Sequence, residues 1–423
     1  MKSRGLLFLL IALVALGVNL VAAQDVVELR ITWYSDGNEG EVLRGLLDEF
    51  EAANPDIKVV VDEVDYANGI QQLLPVQVEA GEGPDMARIT NFDIYKGKYL
   101  DLRPLVADAA YWEESFPAST LAALRSADDT DQIYGFQNQV TVTGPFINRT
   151  LFEQAGIEVP TGDVTWEEWT EVSKQVAEAT GTPYAIAMDR SGHRFAGPAF
   201  SQGATYFNED GSITMDTPGF RKMAEILLGW HTSGITPADV WIGAGGTYNP
   251  AAPYFINGQL VMYMSGSWQI SNFATNIGDA FDWEAVPNPT GPGGSTGMPG
   301  GTFFVAFGDT EHPAEVARVM DYLASVDVLK AFTEKTLFLP AHLGLGELNY
   351  QTDNALAAAA LNMFVAEVPK LSEQAYKLQY GGLAFAINDP VRDRLTQVLT
   401  GELTLDEAMV QLQQDVDDKL ATR

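Results

Sequence analysis

The sequence predicts an α/β protein of two interleaved lobes with mostly parallel sheets, joined by about three crossings of the chain. Three observations predict it. Hydrophobic alternation and helical periodicity succeed one another, strand then helix then strand, as in a mostly parallel sheet. At 423 residues, 46% of them hydrophobic, the chain is longer than one core usually serves. Residues 133–157 carry a polar run, Gln137-Asn138-Gln139, inside an apolar extended stretch with Val140, Val142, Phe146 and Ile147, closed by Leu151-Phe152 and Gly156. This stretch reads as a crossing between lobes, and such boundaries are where ligand clefts form.

Residues 1–23 stand apart. Lys2 and Arg4 precede an apolar run over 6–16, and Val21-Ala22-Ala23 supplies small residues before Gln24, the layout of a secretory signal cleaved near Ala23. The run is shorter than the ~20 residues of a membrane span and meets Gly17 and Asn19.

Val27, Leu29, Ile31 and Trp33 then alternate as a half-buried strand. Tyr34-Ser35-Asp36-Gly37-Asn38 turns into a helix carrying Val42, Leu43, Leu46, Leu47 and Phe50, stopped by Asn54-Pro55. A second strand over 57–64 ends in Asp65-Tyr66. A helix with Ile70, Leu73, Leu74 and Val78 runs to Gly81-Glu82-Gly83-Pro84, and a strand over 85–90 leads to Asn91-Phe92-Asp93. Ligand groups of such sheets gather beyond the strands' carboxyl ends, where this chain holds Trp33, Asp36, Asp65, Tyr66, Asn91 and Asp93.

Beyond the crossing, Thr165-Trp166-Glu167-Glu168 is a capping box opening a helix through Trp169, Val172 and Val176. Residues 184–188 form a strand, followed by the polar loop Ser191-Gly192-His193-Arg194-Phe195. A later helix aligns Phe220, Met223, Leu227 and Trp230. Residues 255–264 read as a helix end and a strand, after which Ser265-Gly266-Ser267-Trp268 opens a helix. Residues 281–289 form a second crossing. Residues 291–301, with six glycines and two prolines, predict a mobile loop suited to closing over something. A buried strand over 303–307, a helix from Pro313 and a third crossing near 337–343 precede a helical remainder. The lobes are expected to comprise 24–138 plus 288–337 and 139–287 plus 338–423.

Composition excludes several classes. With 25 basic and 57 acidic residues and a net charge of −32, the surface repels phosphate backbones and anionic headgroups, so no nucleic-acid role is expected. The absence of cysteine removes disulfides, thiolate metal sites and a lipid-anchor cysteine. His193, His231, His312 and His342 are dispersed without metal-ligand spacing, so no metal or cofactor is expected. Gly243-Ala244-Gly245-Gly246 follows no clear strand, and neither Ser265 nor Ser267 stands in Gly-x-Ser-x-Gly. A glycosidase pair such as Asp36 with Asp65 stays open, because hydrolysis depends on burial and separation that a sequence does not display.

What remains is a set of aromatic, amide and carboxylate side chains at loop ends. Trp33, Tyr66, Trp241, Tyr248 and Trp268 have the flat apolar faces on which a pyranose ring stacks, and Asp36, Asp65, Asp93 and Gln139 suit its hydroxyls. Trp169 and Trp230 sit on helical apolar faces and read as core.

These residues resemble the extracellular solute-binding proteins of ABC importers, the maltose-binding-protein-like group. Tyr134-Gly135-Phe136 through Gly144-Pro145-Phe146-Ile147-Asn148-Arg149-x-Leu151-Phe152 carries the resemblance. So do Phe255-x-x-Gly258 through Met262 to Gly266-x-Trp268, and Gly300-Gly301-Thr302 before a buried strand. The likeness in order and spacing spans nearly all of the chain after the signal, with one departure, Ile147, where the family usually has tyrosine before the asparagine. It implies a type II periplasmic-binding-protein fold, a roughly three-segment hinge and closure on ligand. It further implies that Trp268 matches a stacking tryptophan, that the loops at Asn91 to Asp93 and His193 to Arg194 match ligand-contacting positions, and that Gly301, Thr302, Asn388 and Arg392 are further carry-overs. The implied protein is a secreted, monomeric, non-catalytic receptor that delivers a neutral mono- or oligosaccharide to ABC permease subunits. A secreted carbohydrate-active hydrolase and a receptor for a cation such as a polyamine are the alternatives.

Overall fold

The computed structural model describes residues 26–243 and 248–421; the secretory signal read at 1–23 lies outside the described residues. Among the described residues eight strands form one continuous sheet: β1 (Val27–Trp33), β2 (Ile57–Glu63), β3 (Met86–Ile89), β4 (Gly135–Asn148), β5 (Tyr184–Met188), β6 (Leu260–Gly266), β7 (Trp283–Ala285) and β8 (Pro299–Ala306). Their order is β2-β1-β3-β8-β4-β6-β5, with β7 also paired to β4. The sheet is mixed rather than mostly parallel. β1 pairs in parallel with β2 and β3, and β5 with β6, whereas β4 and β8 run antiparallel to each other and to their flanking strands. The reason is the interleaving, because β4 carries the chain out of the first lobe and β8 carries it back.

The two largest bodies of apolar packing among the described residues flank these crossings. One joins Leu29, Leu47, Trp112, Phe136, Phe304 and Met320. The other joins Phe146, Trp166, Met188, Trp230, Trp283 and Phe364. β4 passes from Phe136 in the first to Val142 and Phe146 in the second, and β8 returns with Phe304. The third crossing alternates, with Leu337 and Leu339 in the second body and Phe338 and Leu345 in the first. Val140 of β4 donates its N–H to the Leu339 carbonyl there. The predicted apolar stripe of the helix Glu39–Ala53 is buried at Leu43, Leu46, Leu47 and Phe50. The capping box at Thr165 and Glu168 is present, with both reciprocal bonds.

The glycine-rich stretch 291–301 is not a mobile cover. Gly293 donates to the Ser201 carbonyl, and Gly300 and Gly301 lie inside β8. Its glycines permit close backbone approach: at Gly301, φ is +135° and a Cβ would stand 2.0 Å from the Gln139 carbonyl oxygen. Among the described residues no single helix is long and apolar enough to cross a membrane.

Candidate ligand-binding site

A cavity of about 130 Å³ sits where the crossings meet. Asp36 reaches it from the loop after β1, and Tyr66 from a π-helical turn, Tyr66–Leu73. Arg194 enters on the helix Gly192–Ser201, and Trp268 at the end of β6. Gln139, Gly301 and Thr302 line it from the crossing strands, and Arg392 from the helix Ala384–Thr400. A larger hollow of about 600 Å³ lies elsewhere, lined by residues of 149–169 and 284–288 and by no group of the first lobe.

Five of the expected site residues lie outside the cavity lining. Trp33 is 1% exposed and packs edge-on against Phe304 and Phe332, because it belongs to the same inward set as Leu29 and Ile31. Trp241 is equally buried and donates its indole N–H to the Met188 carbonyl. Asp65 caps the π-helical turn by accepting from the Asn68 N–H. Asp93 pairs with Lys96 at 2.8 Å in a short 3-10 turn. Asn91 lies just before that turn, its Oδ1 buried. The hydrolase pair Asp36 with Asp65 is therefore not assembled in the cavity.

The crossing itself holds a buried polar knot. Arg88, fully buried in β3, donates to the Tyr34 carbonyl at 2.5 Å and to Gln139 Oε1 at 2.6 Å, and its Nη1 lies 3.5 Å from Glu39 Oε1. Thr302 Oγ1 donates to Asn138 Oδ1 at 2.7 Å. Asn138 is the unpaired residue of the irregularity that shifts the β4–β8 register between Gln137 and Gln139, and Gln139 borders it. Glu39 also accepts from the N–H groups of Asp36 and Gly37, fixing the loop that presents Asp36. The Asp36 carboxylate lies 3.7 Å from Arg88, outside hydrogen-bond range. Burial and then Glu39 raise its pKa to about 7, against the pull of Arg88 and Arg194.

Arg194 is held from three sides. Its Nε lies 3.4 Å from Asp189, its Nη1 donates to His193 Nδ1 at 2.7 Å, and its guanidinium carbon sits 4.0 Å over the Trp268 ring. His193 Nε2–H donates to the Pro299 carbonyl at 3.0 Å, which leaves Nδ1 as the acceptor for Arg194. Burial and the adjacent Arg194 push the His193 pKa down to about 3, so the ring is neutral. One face of Trp268, expected as a stacking platform for ligand, is thus covered by the protein's own guanidinium.

Sequence reasoning missed Asp189, a fully buried hub that accepts from Tyr248, Tyr263, Ser265 and the Ala251 N–H. Its signal was its place immediately after β5, at a strand's carboxyl end. Arg88 was missed too, although a charge inside an apolar strand is a mark of a buried ion pair. Gln71 and Asn388 also line the cavity, with Gln71 Oε1 and Asn388 Oδ1 buried and without a hydrogen-bond partner.

Two lobes contribute opposed polar groups to one cavity at a hinge of crossing strands, an arrangement built to hold a solute. Residues 34–330 match the model of the bacterial extracellular solute-binding protein family. The chain belongs to that family. A binding protein of Brucella abortus is 24% identical over 352 residues, 80% of this chain and 82% of its own. Among solved structures, this solute-binding protein is similar to an ABC substrate-binding protein from Listeria monocytogenes in complex with cycloalternan. That match has a TM-score of 0.77 and 20% identity, covering 94% of this chain and all of the other. A receptor of Streptomyces glaucescens, solved unliganded and with acarbose, follows with a TM-score of 0.75 and 20% identity, covering 93% and 99%. The fold is that of type II periplasmic binding proteins, and members of the family are extracellular binding proteins rather than enzymes.

Proposed function

We propose that this solute-binding protein captures a neutral sugar between its lobes and delivers it, as a secreted monomer, to the membrane subunits of an ABC importer. The carrying observation is the balance of unused polar groups at the cavity. Asp36, Gln71 Oε1 and Asn388 Oδ1 are acceptors without a hydrogen-bond partner, and Arg194 Nη2 is a donor without one. An excess of acceptors matches a ligand rich in hydroxyl donors. The cycloalternan and acarbose bound by the two structural relatives support the same class. Since only the closed form engages both lobes, ligand draws the population toward it.

A cationic solute is a poorer match, because two of the aromatic rings that line the cavity already carry a guanidinium of the protein. Arg88 lies 4.2 Å over Tyr34 and Arg194 lies over Trp268. A thermal-shift screen over mono- and disaccharides, followed by calorimetry and product analysis, tests the reading. Stoichiometric binding of a sugar without turnover is the expected result; released product, or binding of spermidine in place of every sugar, overturns it.

A further inference from the structure

The cavity is small for the company this protein keeps. An apolar cavity of about 150 Å³ accommodates one benzene molecule. The 130 Å³ between these lobes is thus room on the scale of one six-membered ring. A second ring would need a further surface to stack on, and Trp268, the tryptophan of the cavity lining, already carries a guanidinium over its ring. The Arg194 guanidinium carbon lies 4.0 Å over the ring centroid, held by Asp189 and by His193, which the Pro299 carbonyl fixes in turn. The benzo edge of Trp268 also abuts Gly266, where a Cβ would fall 2.0 Å from the ring. Tyr66 of the first lobe meets Tyr248 of the second edge-on at 5.7 Å, which narrows the cleft further.

From these contacts we infer that the site takes a single monosaccharide unit, and that Arg194 sets this limit by covering the face of Trp268 on which a second ring would stack. The inference rests on the sugar-receptor reading and narrows it. Arg194 has two roles at once. Its fixed guanidinium blocks extension, and its Nη2, the nitrogen not committed to Asp189 or His193, is left to donate to a solute in the cavity that Asp36 of the other lobe also lines.

The test is calorimetry of the full chain with glucose, galactose, xylose and arabinose, then with maltose, cellobiose, lactose and maltotriose, repeated on Arg194→Ala. The wild-type protein is expected to bind one monosaccharide at least tenfold more tightly than any disaccharide. In Arg194→Ala that preference is expected to shrink by tenfold or more, through weaker monosaccharide and stronger disaccharide binding. A wild-type protein that binds a di- or trisaccharide as tightly as its best monosaccharide overturns the size limit and leaves the receptor reading standing. An unchanged preference in a folded Arg194→Ala protein overturns the role of Arg194. Should that variant fail to fold, the wild-type size series alone decides the limit. Binding of no sugar at all overturns the receptor reading, and the inference with it.

Discussion

Ser271 Oγ donates to Asn38 Oδ1 at 3.1 Å, joining the amino-terminal end of the helix Gln269–Asn276 in the second lobe to that of Glu39–Ala53 in the first. Beside this contact Gly37 approaches so closely that a Cβ would lie 2.9 Å from the same Ser271 oxygen. Gly37→Val is therefore expected to wedge the lobes apart and weaken ligand binding by about tenfold or more, roughly 1.4 kcal/mol. Calorimetry measures the loss. Ser271→Gly in the same protein, which removes the opposing side chain, should restore part of the affinity.

Asp36 and His193 predict opposite pH dependences of stability. Burial and Glu39 raise Asp36 from 3.8 to about 7, so the folded protein holds that proton more tightly than the unfolded chain. Its stabilising contribution is full below about pH 4 and is lost as pH rises through about 7. Burial and Arg194 lower His193 from 6.5 to about 3, so its contribution is full above about pH 6.5 and is lost as pH falls toward 3. Urea unfolding at pH 4, 6 and 8 should show Asp36→Asn gaining on the wild type as pH rises, and His193→Asn gaining as pH falls.

Gly301→Ala should be strongly destabilising, by roughly 2–4 kcal/mol, because both the backbone conformation and the Gln139 carbonyl oppose a side chain there. A drop in melting temperature followed by circular dichroism checks this. The exposed Gly156, whose added Cβ would meet nothing within 4 Å although its φ is +65°, should tolerate alanine with a smaller loss.

Trp268→Ala removes the platform under Arg194 and is expected to cost about tenfold in sugar affinity or more. Trp230→Ala, deep in the second core, should instead cost about 3–5 kcal/mol of stability while leaving the affinity of the folded fraction nearly intact. Equal losses of affinity in the two folded variants would contradict the assignment.

The periodicities made much of the fold legible, including the alternation of β1, the stripe on Glu39–Ala53 and the polar run at the first crossing. The run Gln137-Asn138-Gln139 stood out because amides inside an apolar strand need partners, and Arg88, Thr302 and Gly300 supply them. Trp33 misled because its nearness to a loop outweighed its place in a period-2 alternation that points it inward with Leu29 and Ile31. The glycines of 291–301 misled for another reason. Glycine signals freedom or close approach equally, and only tertiary neighbours such as the Gln139 carbonyl decide between them. The covering of Trp268 by Arg194 was not legible at all, since it depends on Asp189 and His193 meeting one guanidinium in space.

The central claim is that solute closes the two lobes on one another. The chain has no cysteine, so cysteines at Glu41 and Asn276, exposed on the two helices that meet at Asn38 and Ser271, can carry spin labels without interference. Pulsed electron–electron resonance of the doubly labelled protein, with and without the sugar that binds, measures the distance between them. The account predicts a longer or broader distribution without sugar that collapses to one shorter distance at saturation; an unchanged distribution at full occupancy would contradict it.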